Sequence, residues 1–275
     1  MTSQATKVVI AAPTFGSALQ VSLSDHFRKF FKPEQMTLRS VSDEIALQKE
    51  RLMLALQQTQ PTALIAISIR PSSDIVDAYT AENVPIILID EETTGVSTIT
   101  TDNSMGGRIA AEYLISKGKK KIAIVSGRTN VQGGYNAEQR LKGFQQALKV
   151  KGISLPQGYM MEVMHYSRED GIEAMPKLLS IGVDAIFCAA GDNCALGLLS
   201  IARDRGVRIP DTVAIIGFDD LRIAQLSTPT LTTIRQPLTE IAEAAYKMAV
   251  DYRDEIVHRP RNAKFNPELI VRQSA

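Results

Sequence analysis

Short apolar runs alternate with longer amphipathic stretches along most of the chain. Apolar runs over 7–12, 36–41, 63–69 and 84–90 are predicted strands. Between them, a stretch over 44–57 places Ile45, Leu52 and Leu56 near helical spacing, and Ser72-Ser73-Asp74 caps a helix reaching about Glu82. The rhythm then restarts. Asp102 or Asn103 caps a helix that ends at Lys117-Gly118, and strands are predicted over 121–126, 159–164, 185–189 and 213–218. Helices fill the intervals: 137–151, a stretch from Ser167 to near Gly182, and 192–205. Ser167 and Asp170 have the spacing of a capping-box variant, and Gly118, Gly152 and Gly206 stand where helices stop. A long helix from 238 to about 255 and a strand over 269–272 close the pattern. Strands that are apolar at nearly every position, separated by helices, belong to parallel sheets covered on both faces.

Two sets of four or five strand–helix units result, and a weak internal echo supports a two-fold plan. Pro85 leads into an apolar run ending at Asp90, and Pro210 precedes a run ending at Asp219. Ligands of open parallel sheets bind beyond the carboxyl ends of strands, where both aspartates fall. Equally, each aspartate could simply cap a loop or helix.

Composition adds exclusions. The chain has 275 residues, 31 Lys+Arg against 30 Asp+Glu, and 44% hydrophobic residues. That excludes a disordered chain and a surface dominated by a nucleic-acid footprint. A chain this long buries about three quarters of its unfolded surface, so its core is ample. The longest apolar runs, such as 85–89 and 185–190, are far short of the about 20 residues of a spanning helix. No secretory signal is read in the first residues, so a cytoplasmic location is expected, with no membrane partner. Two cysteines, Cys188 and Cys194, make no disulfide framework and fit a reducing compartment.

Sharp catalytic motifs are missing from the sequence. There is no dinucleotide or phosphate-loop fingerprint, no nucleophile elbow and no zinc-ligand spacing. His26, His165 and His258 are scattered. Cys188 reads as a core residue, and Cys194, although in the first turn of a helix, reads better as a packed thiol than as a nucleophile. Gly133-Gly134 lacks the Lys-Ser/Thr partner of a phosphate cradle, and Gly106-Gly107 lies within a predicted helix, where close packing explains it. The four lysines over 117–121 read as a solvated helix end. No enzymatic activity, metal or cofactor is expected.

The second half carries a recognisable set of strings. Ala189-Ala190-Gly191-Asp192-Asn193-Cys194-Ala195-Leu196-Gly197 is followed by Gly206-Val207-Arg208-Ile209-Pro210-Asp211 and Ile216-Gly217-Phe218-Asp219-Asp220. Pro229-Thr230-Leu231-Thr232-Thr233-Ile234-Arg235-Gln236-Pro237 and the closing Pro267-Glu268-Leu269-Ile270-Val271-Arg272 come next, while Thr101-Asp102-Asn103 and Arg140-Leu141-Lys142-Gly143-Phe144 lie upstream. In combination these resemble the effector-binding core of the LacI/GalR family of transcriptional regulators. The resemblance spans essentially the whole chain and is weakest over 14–62.

That resemblance implies an α/β fold of the type I periplasmic-binding-protein kind, two Rossmann-like subdomains joined by a three-segment hinge. The crossovers are expected near Thr100, Thr233 and Pro260, giving 1–100 plus 234–260 as one subdomain and 101–233 plus 261–275 as the other. The implied function is allosteric. A small polar effector, a sugar or sugar derivative, binds in the cleft between subdomains and modulates DNA binding by a homodimer. The family's N-terminal DNA-binding headpiece is expected to be absent from this chain, so operator DNA would be met only through a headpiece not present here. A free-standing sugar-binding protein of a transporter shares the fold and is the alternative.

Carried over position by position, Arg140 matches the ligand-binding arginine and Asp219 the ligand-binding aspartate. Substituting either is expected to abolish binding without unfolding the protein. Tyr166 matches a stacking aromatic, although a core aromatic fits equally well. Asp90 and Phe15 match contacts from the first subdomain, and Leu238 a cleft-facing side chain for which helix packing is the plainer reading. Gly191 and Asp192 are also assigned to the ligand site: the family commonly has, at the position of Gly191, an Asn that often touches the ligand, and here that side-chain amide is missing.

Overall fold

The computed structural model describes residues 6–15, 17–129, 131, 134–254 and 259–275; Gly133 and His258 lie outside these. In chain order the first elements are β1 (Val8–Ala12), α1 (Ala18–Phe27), β2 (Met36–Ser40), α2 (Ile45–Thr59), β3 (Ala63–Ile67), α3 (Ser73–Ala81), β4 (Ile86–Ile89) and β5 (Ser97–Thr101). Then follow α4 (Asn103–Ser116), β6 (Ile122–Ser126), α5 (Tyr135–Val150), β7 (Met160–Glu162), α6 (Arg168–Ser180), β8 (Ala185–Cys188), α7 (Asp192–Asp204), β9 (Ala214–Asp219), α8 (Arg222–Leu226) and β10 (Thr232–Arg235). The chain ends with α9 (Leu238–Arg253), β11 (Asn262–Phe265) and β12 (Glu268–Ile270). No described helix is long and apolar enough to cross a membrane.

These elements form two compact units, each discontinuous: Met1–Thr101 with Pro237–Phe265, and Asp102–Gln236 with Asn266–Ala275. The first has a six-stranded sheet ordered β11-β5-β4-β3-β1-β2, parallel throughout. Alternate side chains of its strands serve two cores. Val8, Ile10 and Ala12 pack with Leu23 and Phe27 of α1 and Ile241 and Ala245 of α9. Val9 and Ala11 pack with Leu52 and Leu56 of α2 and Tyr79 of α3.

The second unit repeats the plan with order β12-β10-β9-β8-β6-β7; only β12 runs antiparallel, against β10. Ile122, Ile124, Phe187 and Phe218 pack with α4 and α5, and Ala123, Val125, Ile186 and Cys188 with α6 and α7. Each helix pair meets through glycine. A Cβ on Gly107 would collide with the Arg140 carbonyl, and one on Gly143 with that of Ser104, so α4 and α5 touch backbone to backbone. Gly171 and Gly197 do the same for α6 and α7 against the carbonyls of Cys194 and Arg168.

Local signals behave as their chemistry dictates. The Asp102 side chain accepts from the Met105 N–H at 2.8 Å and starts α4. Ser167 and Asp170 form a reciprocal capping box. Gly118, Gly152, Gly182 and Gly206 all have φ near +70°, the left-handed conformation that ends a helix. Ser72 departs from expectation: its hydroxyl bonds Asp74 instead of capping the backbone.

Five elements differ from the hydrophobic pattern. The β5 and β10 strands are largely polar yet mostly buried, α1 has little apolar asymmetry, and α8 is only five residues long. The fifth, β11, moves a boundary. Residues 261–275 were expected in the second subdomain, but Asn262–Phe265 pair with Thr98–Thr101 and extend the first sheet. Similarly, Ile234 and Arg235 remain in the second sheet, paired with Phe218 and Asp219.

Candidate functional site

Within the second sheet, chain order reverses between the neighbours β6 and β8, since β7 lies on one side and β9 and β10 on the other. The crevice outside the carboxyl ends at such a reversal is where open α/β sheets bind ligands. Four strand ends converge there. Ser126 ends β6 and Gly127 and Arg128 follow it, Ala189 to Gly191 follow β8, Asp219 ends β9 with Asp220 next, and Gln236 follows β10.

Arg140 reaches this edge from the second turn of α5. Its Nε donates to Asn103 Oδ1 at 2.7 Å and Nη1 to the Ala189 carbonyl at 2.8 Å. The guanidinium lies 3.5 Å from the centroid of the Phe218 ring. Such a stack holds its plane flat while the fork directs hydrogen bonds along the sheet edge.

Asp219 sits one residue beyond Phe218 with φ of +105°, a conformation L-residues rarely adopt. Its Oδ1 accepts from Gln236 Nε2 at 2.6 Å. Asp220 follows, also left-handed, clamped by Arg235 Nε at 2.7 Å and Arg272 Nη2 at 2.6 Å. These ion pairs hold the turn that presents Asp219. Gly191, with φ of +107°, lies against this carboxylate: a Cβ there would be 3.0 Å from Asp219 Oδ2. Glycine at 191 therefore keeps a side chain off the Asp219 carboxylate.

Asp192 is fully buried and acts as a brace. Its carboxylate accepts from the Leu221 N–H at 2.7 Å and the Thr233 hydroxyl at 2.6 Å, tying the start of α7 to the turn after β9 and to β10. Burial, joined by the charge of Asp219, pushes its carboxyl well above the ordinary aspartate range. Tyr166 packs against Gly127 at the end of β6 and accepts from the Arg128 N–H at 3.1 Å. Cys188 and Cys194 are both buried free thiols, and burial pushes the Cys188 thiol up.

The remaining predicted residues belong to the first unit. Asp90 is buried at the end of β4, also left-handed at φ of +65°, so the sequence echo corresponds to matching places in the two sheets. Phe15 follows β1 and is partly buried against the α1–α9 core. Leu238, at the start of α9, is buried in that same core. A separate pocket of about 460 Å³ in this unit is lined by Glu92, Thr94, Thr98, Thr100, Asn262 and Lys264, among others. None of the predicted site residues lines it. No described group of His, Cys, Asp or Glu could hold a metal ion.

The sequence offers Asn103 only as a helix cap and gives Phe218 and Gln236 no role, yet all three orient Arg140 or Asp219. All three lay inside strings quoted above, but their contacts join positions tens of residues apart.

Comparison with known proteins gives the family and the fold. Residues 111–275 match the periplasmic binding protein-like domain family. The HTH-type transcriptional repressor PurR of Klebsiella pneumoniae (strain 342) is 30% identical over 250 residues, covering 89% of this chain and 72% of the repressor. The transcription regulator CcpA of Lactococcus lactis superposes with a TM-score of 0.85 at 22% identity, covering 98% of this chain and 99% of that one. A LacI family transcriptional regulator from Enterococcus faecium with bound ribose gives a TM-score of 0.84 at 22% identity, with 98% of each chain covered. At these identities the superpositions speak for the fold.

Proposed function

Because the chain belongs to the periplasmic binding protein-like domain family, as the effector-sensing core of a LacI-family regulator, we propose that its second sheet presents the sensing site. The ligand we propose is a small polar metabolite of the sugar class, as in the ribose-bound Enterococcus faecium regulator. The observation that carries this reading is the placement of Arg140, bonded to the Ala189 carbonyl after β8, and of Asp219, at the end of β9 beside Gly191, on the carboxyl edge of one sheet. Asp219 supplies acceptors for sugar hydroxyls, and Arg140 supplies a held cationic fork. Tyr166 is the proposed aromatic wall. Asp90 and Phe15 are proposed contributors from the first unit.

Binding acts by population shift. A ligand that binds one conformation better than another moves the equilibrium by its differential affinity, typically about 1–3 kcal/mol of coupling. In the regulator this coupling changes DNA binding, and we propose that the chain works as a homodimer. Sedimentation across a concentration series checks the dimer.

A thermal-shift screen followed by calorimetric titration tests the site. A charge-assisted hydrogen bond contributes about 1.5–3 kcal/mol. Asp219→Asn is therefore expected to weaken binding by roughly ten- to a hundredfold with the fold retained. Binding unchanged in Asp219→Asn removes the site from the second sheet edge. A tenfold or greater loss in Asp90→Asn supports the first unit's part in recognition, and unchanged affinity removes it.

A further inference from the structure

We propose that the effector carries an acidic group, a carboxylate or a phosphate, seated on Arg128; the inference rests on the sensing reading above and narrows its ligand class. Arg128 follows β6 at the strand reversal, one strand from Ala190, whose N–H donates to the Val125 carbonyl at 3.1 Å. Its position is fixed from behind. The Arg128 N–H donates to the Tyr166 hydroxyl, the Tyr166 ring fills the space where a Gly127 side chain would lie, and the guanidinium carbon is 5.9 Å from that ring's centroid.

The other cations of this edge are committed. Arg140 bonds Asn103 and the Ala189 carbonyl, and Arg235 and Arg272 hold Asp220. Arg128 differs: its Nε is buried and, among the described residues, has no hydrogen-bond partner. The Ser126 hydroxyl, two residues earlier, is likewise buried without one. Glu162, whose Oε2 accepts from both the N–H and the hydroxyl of Thr129, makes no hydrogen bond to Arg128 Nε.

Buried donors in native proteins are ordinarily satisfied, and a guanidinium edge matches the oxygens of a carboxylate or phosphate. The ends of β6 and β9 are two strand spacings apart, about 10 Å, with Arg128 two residues beyond the first and Asp219 closing the second. A sugar ring with a pendant acid spans that interval, its hydroxyls toward Asp219 and its acid toward Arg128. The hydroxyl of a neutral sugar can accept from Arg128 Nε, but only an anion also answers its charge.

The test is calorimetric titration of the full chain with pentoses and hexoses in three forms: the free sugar, the sugar acid and the sugar monophosphate. For at least one parent sugar, an anionic form is expected to bind ten- to a hundredfold more tightly than the neutral one. Whether the acid or the phosphate leads identifies the group. Arg128→Gln is expected to bring the anionic form down to the neutral one's affinity while leaving the neutral one unchanged. Arg128→Lys, which keeps charge but loses the fork, is expected to fall between. Circular dichroism checks that both variants fold. Equal affinity for neutral and anionic forms, or anion preference unchanged in Arg128→Gln, overturns the proposal and leaves the sensing reading standing. Failure of every compound to bind the unmodified chain overturns both.

Discussion

Asp192 shows how a motif residue can serve the fold first. Its string suggested a ligand contact, yet its carboxylate is spent on Leu221 and Thr233. Burial raises its folded-state pKa above the ordinary value of 3.8, so the folded protein holds this proton more tightly than the unfolded chain does. The contribution of this group to stability is therefore greatest at low pH and falls as pH rises from 3.8 through the raised value. Asp192→Asn, whose amide can donate to Thr233 while its oxygen accepts from Leu221, should flatten that decline; urea midpoints between about pH 4 and pH 8 would show it. Arg140 carries a double role of the same kind. The expectation that its removal spares the fold needs amending, because Asn103 and the Ala189 carbonyl would lose their donor. Arg140→Ala should cost roughly 1–3 kcal/mol of stability in denaturant titration, beyond any loss of affinity. Residue types at this site were legible in sequence. Their mutual bracing was not, since hydrogen bonds spanning 37 or 49 positions leave no local pattern.

Elements were legible where burial made them apolar on both faces. Strands such as Val8–Ala12 and Ile122–Ser126 declare themselves, and so do helices with a cap and a terminal glycine. Ser97–Thr101 does not, because its buried positions are filled by threonine and serine, whose β-branched or small side chains suit a strand but carry no hydrophobic signal. Thr232–Arg235 hides in the same way. The glycines within helices are the converse case, readable as packing devices although the partner helix is not named by sequence. In an exposed helix, replacing glycine by alanine stabilises by up to about 1 kcal/mol. Here the sign reverses: the new methyl of Gly143→Ala or Gly197→Ala meets a backbone carbonyl that cannot rotate away. Each change should destabilise by about 1–3 kcal/mol or more, and thermal melts of the two variants would check it.

At the scale of the molecule, the two-fold plan was legible from the restarting rhythm and the paired aspartates, but the last boundary was not. Asn262–Phe265 alternates in exposure on a sheet edge and could have joined either unit by pattern alone. Beyond it, residues 266–275 return to the second unit. Ser274 bridges the Ile215 carbonyl and the Thr232 N–H at 2.6 and 2.8 Å, Arg272 holds Asp220, and Tyr113 donates to the Ala275 carbonyl. A chain ending at Phe265 is expected to keep the first unit folded and lose native packing in the second, visible as rapid limited proteolysis within 102–236. The same stitch bears on biosynthesis. A ribosome that has translated as far as residue 260 has supplied β6 to β10 but neither β12 nor Ser274, so β10 stands as an open margin. Such a margin invites pairing with another nascent chain, and the second lobe completes its fold only after those closing residues emerge.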